Sequence, residues 1–291
     1  MVDLDWEKIE PLVQSALEED LGSGDITSVW VVPERSESQG RLMAKEEGIV
    51  AGLEVAALAF RKMDPRIGFT SCQCDGDRVL PGSTIAEVFG PVRGILSSER
   101  TAINLLQRMS GIATATAAYV SAVEGTGAKV MDTRKTTPGL RMLEKYAVRM
   151  GGGVNHRFGL YDMVLIKENH IEVAGGILKA VQRVKERMTA SGPGGREGIA
   201  VEVETRSLEE VQEALSAGVD RIMLDNMTCE EMRKAVRIIR GQGDGRPGIE
   251  ASGMVTLTNI REVAETGVDL ISIGALTHSP KALDISLLLE R

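Results

Sequence analysis

The chain reads as an α/β protein with a parallel sheet, open or closed into a barrel, behind a smaller α+β domain. Two observations predict this. From about Lys129 onward, short β-branched or apolar runs alternate with amphipathic stretches at the spacing of right-handed βαβ units. The first ~110 residues lack that alternation and carry shorter strand-like pieces split by turns. A chain of 291 residues is long enough for both parts to bury a core.

In order, a helix over 5–20 is followed by a turn-like segment, LGSGDIT, at 21–27. Strand-like pieces near 40–50, 67–73 and 84–89 flank a helix over 53–63, with turn signals at 75–77 and 81–83. A long helix over 97–125, broken at Gly111, leads into the alternating region. Its strands are 128–132, 162–166, 199–203, 221–225, 248–251 and 269–274. A helix over 140–150 runs into Gly151–Gly153, which either ends it or permits close approach of a ligand. Ser207 with Glu210 and Thr228 with Glu231 read as capping boxes, and Gly218 and Gly267 as glycines just past helix ends. Gly/Pro-rich loops at 191–198 and 241–248 precede strands.

Composition excludes several functions. No apolar run approaches the ~18–20 residues of a membrane helix. The acidic, charge-broken N-terminus resembles neither a secretory signal nor a transit peptide. Three cysteines make no disulfide framework and no zinc spacing, so a reducing cytoplasm is expected. A net charge of −8 and 3% aromatics argue against nucleic-acid binding. Residues 131–167 nevertheless carry seven Arg/Lys (Arg134, Lys135, Arg141, Lys145, Arg149, Arg157, Lys167) against three acids. Such an island in an acidic protein suits a small anion, unless it is only a solvated basic helix face.

The strand ends are the informative positions, because α/β barrels work at the carboxyl ends of their strands. Strand 128–132 runs into Thr133, Arg134 and Lys135, and strand 162–166 into Lys167. The next two end in Glu204 and Asp225, and the last two in Ser252-Gly253 and Gly274. Cations with His156 and Arg157 suit a dicarboxylate or a phosphate. Two neighbouring carboxylates suit Mg²⁺, and the glycine turns suit backbone contacts to a phosphate. Other motifs are weaker. Gly22-Ser23-Gly24-Asp25 lacks the third glycine of a dinucleotide fingerprint. Cys72 and Cys74 read as buried or edge-strand thiols, and His170 and His278 as ordinary hydrogen-bonded histidines.

The block 132–171, DTRKTTPGLRMLEKYAVRMGGGVNHRFGLYDMVLIKENHI, closely resembles the quinolinate phosphoribosyltransferase family, also called nicotinate-nucleotide pyrophosphorylase (carboxylating). Supporting stretches at 18–28, 97–116, 201–204, 222–227, 250–260 and 271–279 extend the resemblance over nearly the whole chain. It implies an incomplete parallel α/β barrel over 113–279, an N-terminal α+β domain over 1–112, and a tail, 280–291, packed with that domain. It also implies a homodimer whose active sites are shared, with Arg100 supplied by the partner subunit. On matching positions, Arg100, Thr133, Arg134, His156 and Arg157 would bind quinolinate, with Lys135 and Lys167 nearby. Glu204 and Asp225 would face the ribose and Mg²⁺, directly or through water. Ser252, Gly253 and Met254 with Ile273, Gly274 and Ala275 would hold the 5-phosphate. Met254 departs from the pattern, since many relatives carry glycine or asparagine there.

The implied reaction joins quinolinate to 5-phosphoribosyl 1-pyrophosphate with decarboxylation, using Lys135, Lys167, Glu204 and Asp225 as catalytic groups. Two rival readings are a phosphoribosyltransferase with another acceptor, such as nicotinate, and a non-catalytic sensor of phosphorylated metabolites. The density of cations favours the two carboxylates of quinolinate over the one of nicotinate, and the paired acids count against a sensor.

Overall fold

The computed structural model describes residues 4–190, 198–243 and 245–290. The loop expected at 191–198 therefore lies outside the described residues except for Gly198, as does Asp244 of the second loop. In chain order the elements are α1 (Trp6–Leu21), α2 (Ile26–Val31), β1 (Glu37–Ala44), β2 (Gly48–Ile49), α3 (Leu53–Met63), β3 (Gly68–Ser71), β4 (Arg78–Val79), β5 (Thr84–Pro91) and α4 (Val92–Ala122). Then come β6 (Lys129–Met131), α5 (Arg141–Met150), β7 (Val164–Ile166), α6 (Glu168–Ala174), α7 (Ile177–Ala190), β8 (Val201–Thr205), α8 (Leu208–Ala217) and β9 (Arg221–Asp225). The last are α9 (Cys229–Arg240), β10 (Gly248–Ser252), α10 (Ile260–Ala264), β11 (Leu270–Ser272), α11 (Ala275–His278) and β12 (Ile285–Leu289).

Two compact units result. The first comprises Met1–Ala117, Lys135–Gly153 and Ala275–Arg291. Its sheet is antiparallel in the order β12-β1-β5-β3, so the end of the chain adds a strand beside β1. Helix α1 buries Ile9, Val13 and Leu17, one stripe at a four-residue repeat. The turn expected at 21–27 lies between α1 and α2, and its end opens α2, where the Asp25 carboxylate accepts the Ser28 N–H at 2.9 Å and caps the helix.

Helix α4 differs from expectation at both points. It begins at Val92, directly after β5, and continues through Gly111 without a break. A Cβ at Gly111 would lie 2.1 Å from the Lys281 carbonyl oxygen, so this glycine admits the 281–282 backbone against the helix. Gly151 does the same after α5, where a Cβ would lie 2.3 Å from the Ala113 carbonyl oxygen. The close approach there is to α4, not to a ligand.

The second unit comprises Ala118–Arg134 and Val154–Gly274. Its six strands are all parallel, in the order β6-β11-β10-β9-β8-β7, leaving β6 and β7 as edges. The architecture is that of an α/β protein with one unit an incomplete parallel barrel and the other an antiparallel α+β part. Thr228 and Glu231 form a complete capping box. Ser207 caps α8, but the Glu210 carboxylate accepts from Arg206 N–H at 2.6 Å rather than from Ser207.

Candidate active site

Every strand of the second unit delivers its C-terminal residue to the same end of a parallel sheet. On β8, Glu202 and Glu204 share a face, because side chains alternate with period two. On β9 the same rule groups Arg221, Met223 and Asp225. Glu204 and Asp225 therefore stand on neighbouring strands at the C-terminal ends, with Glu202 and Arg221 nearer the N-terminal ends.

The strand-end carboxylates are already surrounded by cations. Lys167, the N-cap of α6, donates from Nζ to Glu204 Oε2 at 2.8 Å. Arg206 lies 3.6 Å from Glu204 Oε1 and 3.7 Å from Asp225 Oδ2, and its other arm pairs with Glu168. Burial, and then the Glu204 carboxylate, raise the pKa of Asp225 above the ordinary aspartate value.

The cationic side is built by the 154–162 loop. Val154 bridges to Met131 of β6, and the Asp132 carboxylate accepts from His156 N–H at 2.9 Å and from the Asn155 amide. Asp162 accepts from the backbone N–H groups of Phe158 and Gly159 at 2.6 and 2.9 Å. Between these two anchors sits Arg157, whose Nη1 donates to the Met163 carbonyl at 3.0 Å. Burial and then the charge of Arg134 lower the Arg157 pKa, so two guanidinium groups face each other's field. Like charges held this way suit an anion placed between them.

The remaining expected residues fall as follows. Ser252 ends β10, and its carbonyl accepts from Asn226 N–H at 2.9 Å. Asn226 has φ of 55° and Gly253 of 102°, and a Cβ on Gly253 would lie 2.1 Å from Asn226 Oδ1. Glycine is thus required beside the β9 and β10 ends. Met254 is exposed with φ of 46°, a conformation at ease only for glycine, asparagine or aspartate. Ile273 is buried, and its N–H donates to the Met131 carbonyl at 2.9 Å. Gly274 closes the unit. Thr133 and Arg134 are half-buried after β6.

Lys135, Ala275 and Arg100 belong to the first unit. There the Lys135 carbonyl accepts from the Thr277 hydroxyl at 2.8 Å. Arg100 is exposed, eight residues into α4 rather than in its first turn. The basic island is also redistributed, since Lys145 is fully buried and is no surface cation. His170 behaves as an ordinary histidine, with Nδ1 accepting from Lys167 N–H at 3.0 Å.

Residues 25–110 match the family model for the quinolinate phosphoribosyl transferase N-terminal domain, and residues 112–288 match the model for the C-terminal domain. The chain belongs to the quinolinate phosphoribosyl transferase family. A probable nicotinate-nucleotide pyrophosphorylase [carboxylating] of Synechocystis is 45% identical over 287 residues, covering 98% of this chain and 94% of its own. A mitochondrial quinolinate phosphoribosyltransferase [decarboxylating] of Nicotiana glauca is 43% identical, over 97% of this chain and 82% of its own. The solved nicotinate-nucleotide pyrophosphorylase from Francisella tularensis superposes with a TM-score of 0.92 at 40% identity, over 99% of this chain and 98% of that one.

Set in a quinolinate phosphoribosyl transferase, the charged layer contains residues that the strand-end pattern did not single out. Arg206 lies one residue past β8, and Glu202, Arg221 and Glu250 lie nearer the strand starts. His156 Nε2 stands 3.3 Å from Glu202 Oε2 and 3.6 Å from Glu250 Oε2, all three side chains being buried. Burial raises the Glu202 pKa, and burial followed by the Glu202 carboxylate pushes Glu250 up to about 8.

Proposed function

We propose that this chain transfers the phosphoribosyl group of 5-phosphoribosyl 1-pyrophosphate to quinolinate and releases CO₂, forming nicotinate mononucleotide and pyrophosphate for NAD biosynthesis. The observation that carries the reading is the division of charge around the strand ends. Arg134 and Arg157, after β6 and before β7, feel each other's charge, and Glu204 and Asp225, at the ends of β8 and β9, feel each other's.

Arg134 and Arg157, with His156, receive the carboxylates of quinolinate, the guanidinium planes matching them bidentately. Thr133 and Lys135 contribute on the same side by the family pattern. The pyridine nitrogen brings its own lone pair to ribose C1, so no side chain has to remove a proton for that step. The protein's work is to align the nitrogen with C1 and to stabilise separating charge. Glu204 and Asp225 face the ribose, where a cationic, oxocarbenium-like centre develops as pyrophosphate leaves. Backbone around Ser252, Gly253 and Met254, and around Ile273, Gly274 and Ala275, receives the 5-phosphate.

Two carboxylates of neighbouring strands are the oxygen donors that a hard divalent cation prefers, so Glu204 and Asp225 would hold Mg²⁺ directly or through water. When bound, Mg²⁺ supplies neutralising charge for the leaving pyrophosphate. After ring nitrogen and C1 are joined, the pyridinium charge stabilises the carbanion left by loss of the 2-carboxylate. Lys167 or Lys135 hands a proton to that carbon.

The active form is a homodimer in which Arg100 of one subunit completes the quinolinate pocket of the other. The protein works in the cytoplasm, in keeping with its three free cysteines. No described helix is long and apolar enough to cross a membrane.

The test is product analysis with quinolinate, phosphoribosyl pyrophosphate and Mg²⁺, run beside nicotinate. Nicotinate mononucleotide and CO₂ from quinolinate, with loss of turnover on chelation and recovery on adding Mg²⁺, is the expected result. Turnover of nicotinate alone would overturn the acceptor, and full activity after exhaustive chelation would overturn the metal.

A further inference from the structure

A second layer of charge underlies the strand-end residues, and the reaction outlined above uses none of its carboxylates. Glu202 of β8 pairs in register with Arg221 of β9, and Glu250 lies on β10, the next strand. Arg221 Nη1 is 3.3 Å from Glu250 Oε2 and 3.7 Å from Glu202 Oε2. Both carboxylates are fully buried, and neither Glu202 oxygen nor Glu250 Oε1 meets hydrogen-bond geometry with any group among the described residues. Burying two acids is costly even with Arg221 beside them and with burial raising both carboxyls, so a purely structural core would be better filled by apolar groups.

The group that both acids face is His156. Its Nε2 lies 3.3 Å from Glu202 Oε2 and 3.6 Å from Glu250 Oε2, at ion-pair distance, and its Nδ1 accepts the backbone N–H of Arg157 at 2.6 Å. An accepting Nδ1 carries no proton, so the ring's proton sits on Nε2, toward the acids. The imidazole therefore links the inner charged layer to the residue that carries the site's guanidinium.

We propose that Glu202 and Glu250 are positioning residues: with Arg221 closing their far side, they lock the His156 ring, and through it the backbone of Arg157, in the geometry that receives the acceptor's carboxylates. This rests on the proposed function, in that the acceptor is quinolinate. Arg221 Nη1 lies within 4 Å of both acids and supplies them with counter-charge, which the clamp needs and a metal site would not.

Two measurements test it. The first needs no substrate. The chain has three histidines, so ¹⁵N-detected spectra assign the His156 ring by removing His170 and His278. The wild-type ring is expected as the Nε2–H tautomer, and that preference is expected to weaken in Glu250→Gln and Glu202→Gln, which keep side-chain volume. A ring protonated on Nδ1 in the wild type, or a tautomer unmoved by both variants, overturns the proposal.

The second measurement is steady-state kinetics with separate binding of each substrate. The KM for quinolinate is expected to rise roughly tenfold or more in each variant, with kcat at saturation and affinity for phosphoribosyl pyrophosphate nearly unchanged. Glu250→Ala should exceed Glu250→Gln. An unchanged KM, or equal weakening of both substrates, overturns it, and so does a stoichiometric metal lost from the variants. If the wild type makes no nicotinate mononucleotide, the proposed function fails instead, and the ring spectra still decide the clamp.

Discussion

The Lys167 ammonium donates to Glu204 Oε2 at 2.8 Å, tying the ends of two adjacent parallel strands where the sheet meets solvent. The lysine side chain is 49% exposed, so the pair contributes at most about 1 kcal/mol to stability. Its position argues for chemistry. Lys167→Ala should move the melting temperature by no more than a few degrees while product formation falls by about 100-fold or more. Equal loss of both in thermal melts and turnover assays would assign the pair to folding.

Arg134→Ala and Arg157→Ala test the other side of the site. Each removes one of two guanidinium groups that lie in each other's field, and with it one of the partners proposed for the acceptor's carboxylates. Calorimetry should show quinolinate binding weakened by about 2–5 kcal/mol, with phosphoribosyl pyrophosphate affected far less. Equal weakening of both ligands would remove the division of charge on which the functional reading rests.

Met254 is the position where a departure from the family pattern coincides with a backbone cost. With φ at 46°, a methionine strains where glycine does not, by roughly 1–2 kcal/mol before glycine's extra entropy is set against it. Met254→Gly should therefore raise stability by about 1 kcal/mol, or a few degrees in melting temperature. Because the side chain is exposed, little packing is lost. A lower melting temperature would show that the methionine makes a contact outweighing the strain.

What the sequence makes legible follows from chain periodicity. Glu204, Asp225, Lys167 and Ser252 stand where apolar runs stop, and run length is visible without coordinates. Glu202 and Glu250 are not legible in this way. A charge at every second position of a strand ordinarily marks a solvent face, and only closure of the sheet toward a barrel turns that face inward. Arg206 is not legible either, because a loop residue's reach depends on the path after β8. Gly111 reads as a helix break for a local reason. Glycine weakens an isolated helix by about 1 kcal/mol, but the 281–282 backbone that packs there comes from 170 residues away.

The inner acids also make stability depend on pH, with a definite sign. Glu250 faces Glu202, His156 and Arg221, and its carboxyl is raised from 4.5 to about 8. In the folded protein it keeps a proton that the unfolded chain gives up above the ordinary glutamate range. That contribution is fully present below about pH 4.5, declines as pH rises, and is gone above about 8. Urea unfolding of the wild type from pH 5 to 8 should show stability falling along this branch, and Glu250→Gln should flatten the fall. A slope unchanged by the substitution would place the titration elsewhere.

The last prediction concerns Arg100. It lies in the third turn of α4, too far from the N-terminus for the helix dipole to disfavour it, and it is exposed in the single chain. An exposed arginine without a dipole penalty has no local reason to be a site residue. Its assignment rests on the family pattern, which places it in the partner subunit's pocket. Mixing Arg100→Ala with Lys167→Ala under conditions that exchange subunits separates the possibilities. If sites are shared, each mixed dimer has one site with both lesions and one with neither. Random exchange makes about half the dimers mixed, so roughly a quarter of wild-type sites should return. Mass spectrometry of the mixture verifies exchange. Verified exchange with no recovered turnover would put Arg100 in its own subunit's site or outside any site.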